Sequence, residues 1–326
     1  VGEYRDRPAE GMQVVTTALV DGLRALGKEV DVMTPKTLMA WIPLLFLKRA
    51  AAVIFTHGPG PGTLLLSGLV KRISAAQIVW LAPRPAVSNA SRFLLRFAHV
   101  DSILSSRRTA ELDAVLAHSG GRHFPTVHGI DLSRFSAEPQ RAEAACKGGG
   151  GRPFGPGKPV VLHVGHVKAN RGLEQLAVLK EELKETAEVV VLGSPTFPPD
   201  EAVMRRLVDA GVQVLVGFVD DLAAWYRLAA LYVFPADNDE GGAVDLPLSV
   251  LEARACGTPV VTTPYGSLPD VLSGCDGVAF VQPDGLIDVC VRSLQEDGVV
   301  RKKMTPLDRS FDLACLPEKV LAVTGD

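Results

Sequence analysis

The chain has 326 residues, 47% of them hydrophobic and 22% charged, a soluble globular composition with apolar surface for roughly two domains. No apolar run is long enough to span a membrane, and the net charge of −3 gives no reason to expect a nucleic-acid partner. The five cysteines (Cys146, Cys256, Cys275, Cys290, Cys315) lie scattered, which argues against a disulfide scaffold or a metal site and for a reducing compartment, hence a cytoplasmic chain.

Strands alternate with helices throughout, which predicts an α/β fold with mostly parallel sheets. Val1-Gly2 reads as the tail of a first strand truncated upstream, and nothing present resembles a signal peptide. A polar loop over Glu3–Gly11 leads into an amphipathic helix over Met12–Gly27 and a strand over Glu29–Met33. Residues 38–49 are apolar with a basic end. They form either a core element or a peripheral contact to the inner face of a membrane. Strands are expected at Ala52–Thr56, Gln77–Ala82, Ser102–Ser105 and His123–Val127, with a turn over His57–Gly62 before a helix at Thr63–Arg72.

Residues 136–158 are polar and glycine-rich, without apolar periodicity, and read as a linker. A second α/β unit follows from Pro159. Its expected strands are Val160–Val164, Val189–Leu192, Val212–Val216, Leu231–Phe234 and Gly277–Val281. Its expected helices include Leu173–Lys184, Asp200–Ala210 and Leu222–Ala229, with a last helical stretch near Leu307–Ala322. The domains are therefore placed at 1–135 and 159–306, with 307–326 as a terminal helix. Charge divides similarly: residues 1–150 carry 18 Lys and Arg against 12 Asp and Glu, and the remainder 16 against 25. Opposite signs fit two domains with different partners, the basic half facing an anionic acceptor or membrane, unless the asymmetry is surface composition alone.

Four loops of the second unit end strands and carry chemistry, and ligands in such sheets bind beyond the carboxyl ends of strands. After the first strand come Gly165, His166, Lys168, Arg171 and Gly172, where backbone N–H groups, a helix start and cations suit a diphosphate. The second ends in Gly193-Ser194, small enough for close approach. The third, Gly217-Phe218-Val219, offers an aromatic that is either core or a platform for a flat base. The fourth is Asp239–Thr263, a glycine loop, a short helix and a buried strand. Asp245 is placed to cap that helix, Pro247 to sit in its first turn and Gly257 to end it. Glu252 lies four residues after Leu248, close to the apolar face, where a carboxylate is costly unless hydrogen bonds are donated to it.

The order of these motifs resembles the GT-B retaining glycosyltransferases of family 4, the glycogen-synthase-like group. The resemblance rests on Val127–Phe135, similar to "nGvD..rF"; on the glycine-and-cation loop at 165–172; on Val216–Val219 followed by Leu231–Pro235; and on Leu251–Val261, close to "EAmAcGtPVV". It implies two Rossmann-like domains facing across a cleft, with the C-terminal helix returning to the first. It implies transfer of a sugar from a nucleotide diphosphate sugar to a hydroxyl acceptor, lipid-linked or saccharide, with retention of configuration and without metal or other cofactor.

In that resemblance Glu252 is the second glutamate of an E-x(7)-E motif and holds the ribose, with Leu248 and Ser249 beside it. Lys168 and Arg171 hold the diphosphate, and the base lies near Gly217, Phe218 and Val219. The chain also departs from the pattern. The first glutamate is replaced by Val244, so Asp245 either contacts the sugar or only caps the helix. His166 stands where an arginine is usual, and Arg171 where a lysine is. The acceptor side of the first domain would include Gly11 and Arg84, and His57 is either the substitute for a missing catalytic histidine or a hydrogen-bonded surface residue of its turn. The departures keep two alternatives open: a catalytically silent sugar-nucleotide-binding protein, and a GT-B epimerase or phosphorylase. An oxidoreductase is disfavoured, since neither domain opens with a G-x-G-x-x-G turn.

Overall fold

The computed structural model describes residues 11–34, 50–82, 89–137, 157–236, 245–295 and 304–325. Arg84, Val244, the stretch 38–49 and most of the linker lie outside the described residues. The chain divides into two compact units: Val1–Gly129 with Gly242–Leu246 and Arg309–Asp326, and Ile130–Gly241 with Pro247–Asp308.

The first unit is built on a parallel four-stranded sheet in the order β1-β2-β3-β4, where β1 is Ala52–Phe55, β2 Gln77–Leu81, β3 Ser102–Ser105 and β4 Arg122–Pro125. Its central strands are apolar at successive positions because both faces are covered. Ile78 and Trp80 join Phe55, Leu64, Ile103 and Leu112 on one face, against helices α2 (Pro61–Ile73) and α3 (Ala110–Ser119). Val79, Leu81 and Leu104 point to the other, where Val15, Leu19 and Leu23 of α1 (Gly11–Ala25) pack. The last helix of the chain, Leu316–Thr324, completes that face through Leu316 and Val320. It approaches α1 so closely that a Cβ on Gly22 would stand 2.3 Å from Pro317 Cγ.

The expected strand at Glu29–Met33 does not form, as these residues join no ladder. Their apolar members are used in packing instead: Val30 lies against the core shared with α1, and Met33 against the opposite core.

The second unit carries a six-stranded, wholly parallel sheet in the order β10-β9-β8-β5-β6-β7. These strands are β5 Val160–Gly165, β6 Glu188–Gly193, β7 Gln213–Val216, β8 Leu231–Phe234, β9 Val260–Thr262 and β10 Val278–Phe280. The chain runs outward from β5 to β7, then returns to build β8 to β10 on the other side of β5. The reversal leaves a switch point between β5 and β8. Pairing reflects it: β5 and β6 stay in register from Val160 to Gly165, whereas β5 meets β8 only at Val161↔Leu231 and Leu162↔Tyr232.

Helix starts follow local chemistry. Asp200 accepts from the N–H groups of Ala202 and Val203 at the start of α5 (Glu201–Asp209), and Asp221 accepts from that of Ala224 at the start of α6 (Leu222–Leu228). Among the described residues no helix is long and apolar enough to cross a membrane.

Leu316 is fully buried between α1 and the sheet. Leu316→Ala is expected to cost about 2–5 kcal/mol of stability and Leu316→Met under about 1.5 kcal/mol, as measured by urea unfolding of the full chain.

Candidate functional site

The carboxyl ends of β5, β6 and β7 are knitted together by backbone bonds that continue past the strands. Ser194 N–H donates to Gly165 O at 3.0 Å, and Gly217 N–H to Gly193 O at 3.0 Å. Gly193 is closely packed, since a Cβ there would meet Val167 and Val216 side chains at 3.1 Å. Three of the expected donor residues, Gly165, Ser194 and Gly217, are therefore neighbours in one rim, with Gly193 between them.

The loop after β5 has a defined shape. Val167 is buried and its carbonyl accepts from Asp200 N–H at 2.8 Å, anchoring the loop to the start of α5. Lys168 is extended, Ala169–Arg171 make one tight 3-10 turn, and Gly172 ends it at φ 66°. A Cβ on Gly172 would lie 2.0 Å from Pro235 O, so the loop passes directly against the end of β8 and no other residue fits. The turn sets Lys168 and Arg171, both half-buried, on either side of it before helix α4 (Glu174–Leu183) begins.

The charged form of His166 is disfavoured here. Burial first, then the Arg171 and Lys168 charges, hold its pKa below the ordinary histidine value. The ring packs edge-on against Phe197 at 5.2 Å. The positive charge of the loop therefore belongs to Lys168 and Arg171.

The fourth loop leads into α7 (Leu248–Ala255). The residue capping α7 is Pro247, which has no side-chain oxygen to offer, and Gly257 lies just past its end at φ 73°. Asp245 is not the cap. It is buried in the first unit, where Arg107 Nη2 lies 2.7 Å from its carboxylate and Ser106 Oγ donates at 3.4 Å. An arginine of the preceding strand–helix loop thus neutralises a carboxylate that desolvation would otherwise penalise.

Glu252 is half-buried and has a partner that sequence reasoning did not supply. Tyr226 OH donates to its carboxylate at 2.8 Å. Protein packs densely around the group even though the residue keeps an open edge, and burial pushes its pKa up to about 7 against the lowering effects of the Tyr226 bond and the Arg134 charge. Tyr226 packs edge-on against Phe135 and Tyr232. Phe135 and Arg134 end the Val127–Phe135 stretch, and Arg134 Nη2 donates to Asp220 O at 3.3 Å. Both therefore support Glu252 from a distant part of the chain. Tyr232 OH donates to Val164 O at 3.4 Å and is bonded to Ser249, and it stands within electrostatic reach of both Glu252 and Arg171. Tyr232 is the physical link between the cation loop and α7.

Phe218 is 76% exposed, so its side chain is no core residue, and Val219 is half-buried beside it. Leu248 is half-buried at the start of α7. Gly11 and His57 belong to the first unit: Gly11 opens α1, and half-buried His57 follows β1, next to Thr56, whose Oγ1 accepts from Thr16 Oγ1 at 2.8 Å.

A carboxyl that keeps its proton in the native state up to about pH 7, but titrates near 4.5 when unfolded, makes stability fall as pH rises between those values, because the native state binds the extra proton. Glu252→Gln is expected to flatten that fall, read from ligand-free melting temperatures between about pH 4.5 and 7. Gly172→Ala, which forces a Cβ into Pro235 O at positive φ, is expected to destabilise the chain by more than about 1 kcal/mol in urea unfolding.

Residues 158–296 match the model of the family Glycosyl transferases group 1. A curated relative, the sulfoquinovosyl transferase SQD2 of Arabidopsis thaliana, is 27% identical over 210 residues, covering 63% of this chain and 38% of that protein. A D-inositol 3-phosphate glycosyltransferase of Streptomyces bingchenggensis is 31% identical over 177 residues, covering 49% of this chain and 37% of that protein. The matches thus span well under half the length of these two relatives. Among solved structures, Anabaena Alr3699/HepE in complex with UDP-glucose superposes with a TM-score of 0.68 at 14% identity, covering 99% of this chain and 98% of that one. The chain has an α/β fold of two parallel-sheet, Rossmann-like halves, the fold of GT-B glycosyltransferases.

Proposed function

We propose that the chain is a glycosyltransferase that moves a sugar from a nucleotide diphosphate sugar to a hydroxyl acceptor, with retention of anomeric configuration and without a metal. One observation carries the reading. At a single switch point the second unit brings together a glycine-ended loop bearing two cations and a half-buried carboxylate held by a tyrosine. The match of residues 158–296 to a glycosyltransferase family and the UDP-glucose bound by a protein of the same fold support it.

In this reading Lys168 and Arg171 face the diphosphate, with the backbone N–H groups of the loop. Their charge is worth most as the glycosyl–oxygen bond breaks and negative charge gathers on the leaving phosphate. Glu252 accepts from the ribose hydroxyls, and Tyr226 holds its carboxylate in place. Phe218 lies against the base. The acceptor oxygen bonds to the anomeric carbon on the face the diphosphate leaves, and the acceptor proton passes to the departing phosphate oxygen. Gly11 and His57, in the first unit, belong to the acceptor side, together with Arg84. The acceptor is saccharide or lipid-linked, and in the latter case the chain works peripherally at the cytoplasmic face of a membrane.

A second reading, a sugar-nucleotide-binding protein without turnover, is favoured by the Arg107–Asp245 pair, which occupies the acid nearest the expected sugar contact. Thermal-shift titration with UDP-, GDP- and ADP-sugars, followed by product analysis with candidate acceptors, separates the two. Stabilisation by at least one nucleotide sugar is expected from preferential binding to the native state. Lys168→Ala and Arg171→Ala should each weaken that binding by about tenfold or more, the scale of a lost charge-assisted hydrogen bond. Unchanged binding in both variants would sink the assigned diphosphate site. Binding without any product would establish the second reading.

A further inference from the structure

The switch point between β5 and β8 holds a polar group that the site above does not use. Beyond Leu162 the two strands part, and the His163 side chain takes over from the ladder: its Nδ1 lies 2.9 Å from Val233 O. A carbonyl only accepts, so Nδ1 carries the proton and Nε2 presents a lone pair. The ring is fully buried, stacked near Tyr232 (6.3 Å, 13°) and Phe234 (6.0 Å, 26°), and burial keeps it neutral with a pKa of about 4.

Among the described residues Nε2 has no hydrogen-bond partner. It faces Gly165. A Cβ placed there would stand 3.1 Å from Nε2, and outside the adjoining residues only the ring itself comes within 4 Å of that point. Gly165, lacking a side chain, thus puts no side-chain atom between this buried, orphaned acceptor and the start of the loop that carries Lys168 and Arg171. A phosphate oxygen cannot satisfy such an acceptor, since both would offer lone pairs; an O–H can.

We propose that His163 Nε2 accepts a hydrogen bond from a hydroxyl of the bound nucleotide sugar, making His163 a specificity-determining residue at the floor of the switch-point crevice. The proposal rests on the donor-site reading above. It also explains why a histidine, rather than an apolar residue, sits at this point of a strand whose neighbours Val161 and Leu162 are wholly apolar. Nδ1 fixes the ring by replacing a missing ladder bond, which leaves Nε2 aimed at the site. The hydroxyl belongs either to the ribose or to the transferred sugar, and the two arms of the test distinguish them.

The test is a long-range proton–nitrogen NMR titration of protein labelled at histidine and glycine nitrogen. The His163 signal is assigned by its loss in His163→Phe, and the amides of Gly165 and Gly172 report occupancy of the loop. UDP and UDP-glucose are added in turn, with the GDP and ADP counterparts as further probes. On saturation the Nε2 resonance is expected to move upfield as its lone pair is engaged. Movement with the nucleoside diphosphate assigns the ribose, and movement with the nucleotide sugar alone assigns the hexosyl group. If the loop amides move and Nε2 does not, this proposal falls while the donor site stands. If the amides move with none of the probes, the donor-site reading fails and takes this proposal with it. An Nε2 resonance already at its hydrogen-bonded position without ligand, and unchanged by it, marks a water-satisfied core histidine and overturns the proposal.

Calorimetry gives an independent measure. His163→Phe keeps the ring stack and should lose about tenfold in affinity for the ligand that supplies the hydroxyl, while His163→Gln, which retains an acceptor, should recover part of it. Equal affinities in wild type and His163→Phe overturn the proposal.

Discussion

The parting of β5 from β8 is the constraint on which the second unit turns. Two strands of a parallel sheet that pair at only two positions leave backbone groups unmatched at their carboxyl ends, and unmatched buried groups must be satisfied by other means. The chain answers with side chains and loops. His163 reaches Val233 O, Tyr232 OH reaches Val164 O, and Gly172 brings the cation loop against Pro235. The same opening that removes ladder bonds therefore assembles polar groups from strands, a loop and a helix that are far apart in sequence.

Electrostatics then sort those groups. Burial first, and then the Arg171 and Lys168 charges, disfavour the charged form of His166, so the charge of the loop rests on those two cations. Glu252 sits at the other extreme. Burial favours its protonated form, and the Tyr226 hydroxyl and the Arg134 charge only partly offset that. A site that leaves a carboxylate short of donors is matched to a ligand that brings them, and vicinal hydroxyls do so without adding charge. A structural ion pair behaves differently, and α7 carries one for contrast. Arg254 is buried on the same helix, and its Nε and Nη2 are engaged by the Asp276 carboxylate, by Asp276 O at 2.7 Å and by Thr305 O at 2.7 Å. These two charged side chains, two residues apart, thus differ in how far the protein satisfies them: Arg254 has a carboxylate and two carbonyls, and Glu252 has one hydroxyl.

Much of this was legible in the sequence where the cause is local. Asp200 and Asp221 announce helix starts because a short oxygen-bearing side chain can reach N–H groups two or three residues on. The strands of the second unit read as apolar runs because both faces of their sheet are buried. Local rules misled at Glu29–Met33, where alternation served two packing faces without a ladder partner, and at Asp245. A capping acid was a sound expectation from position, but burial beside Arg107 decides its bond, and Arg107 is 138 residues away along the chain. Tyr226 escaped notice for the same reason, and Arg134 stood out only as part of the Val127–Phe135 motif. Nothing local marks their link to Glu252; they matter because α6 and the segment after Gly129 meet Glu252 in space. A search for residues able to donate to a suspicious carboxylate could have raised Tyr226 as a candidate, though not singled it out.

The composition of the first unit from three separate stretches of chain has a bearing on biosynthesis. One face of its sheet, bearing Val79, Leu81 and Leu104, is covered partly by α1 and partly by Leu313, Leu316 and Val320. Those last residues leave the ribosome after the entire second unit has been made. The N-terminal sheet must therefore wait, with part of an apolar face bare, while some two hundred residues are translated and fold, an interval of about 10–40 s at 5–20 residues per second. The unit whose sheet is made first is thus the one whose core is closed last.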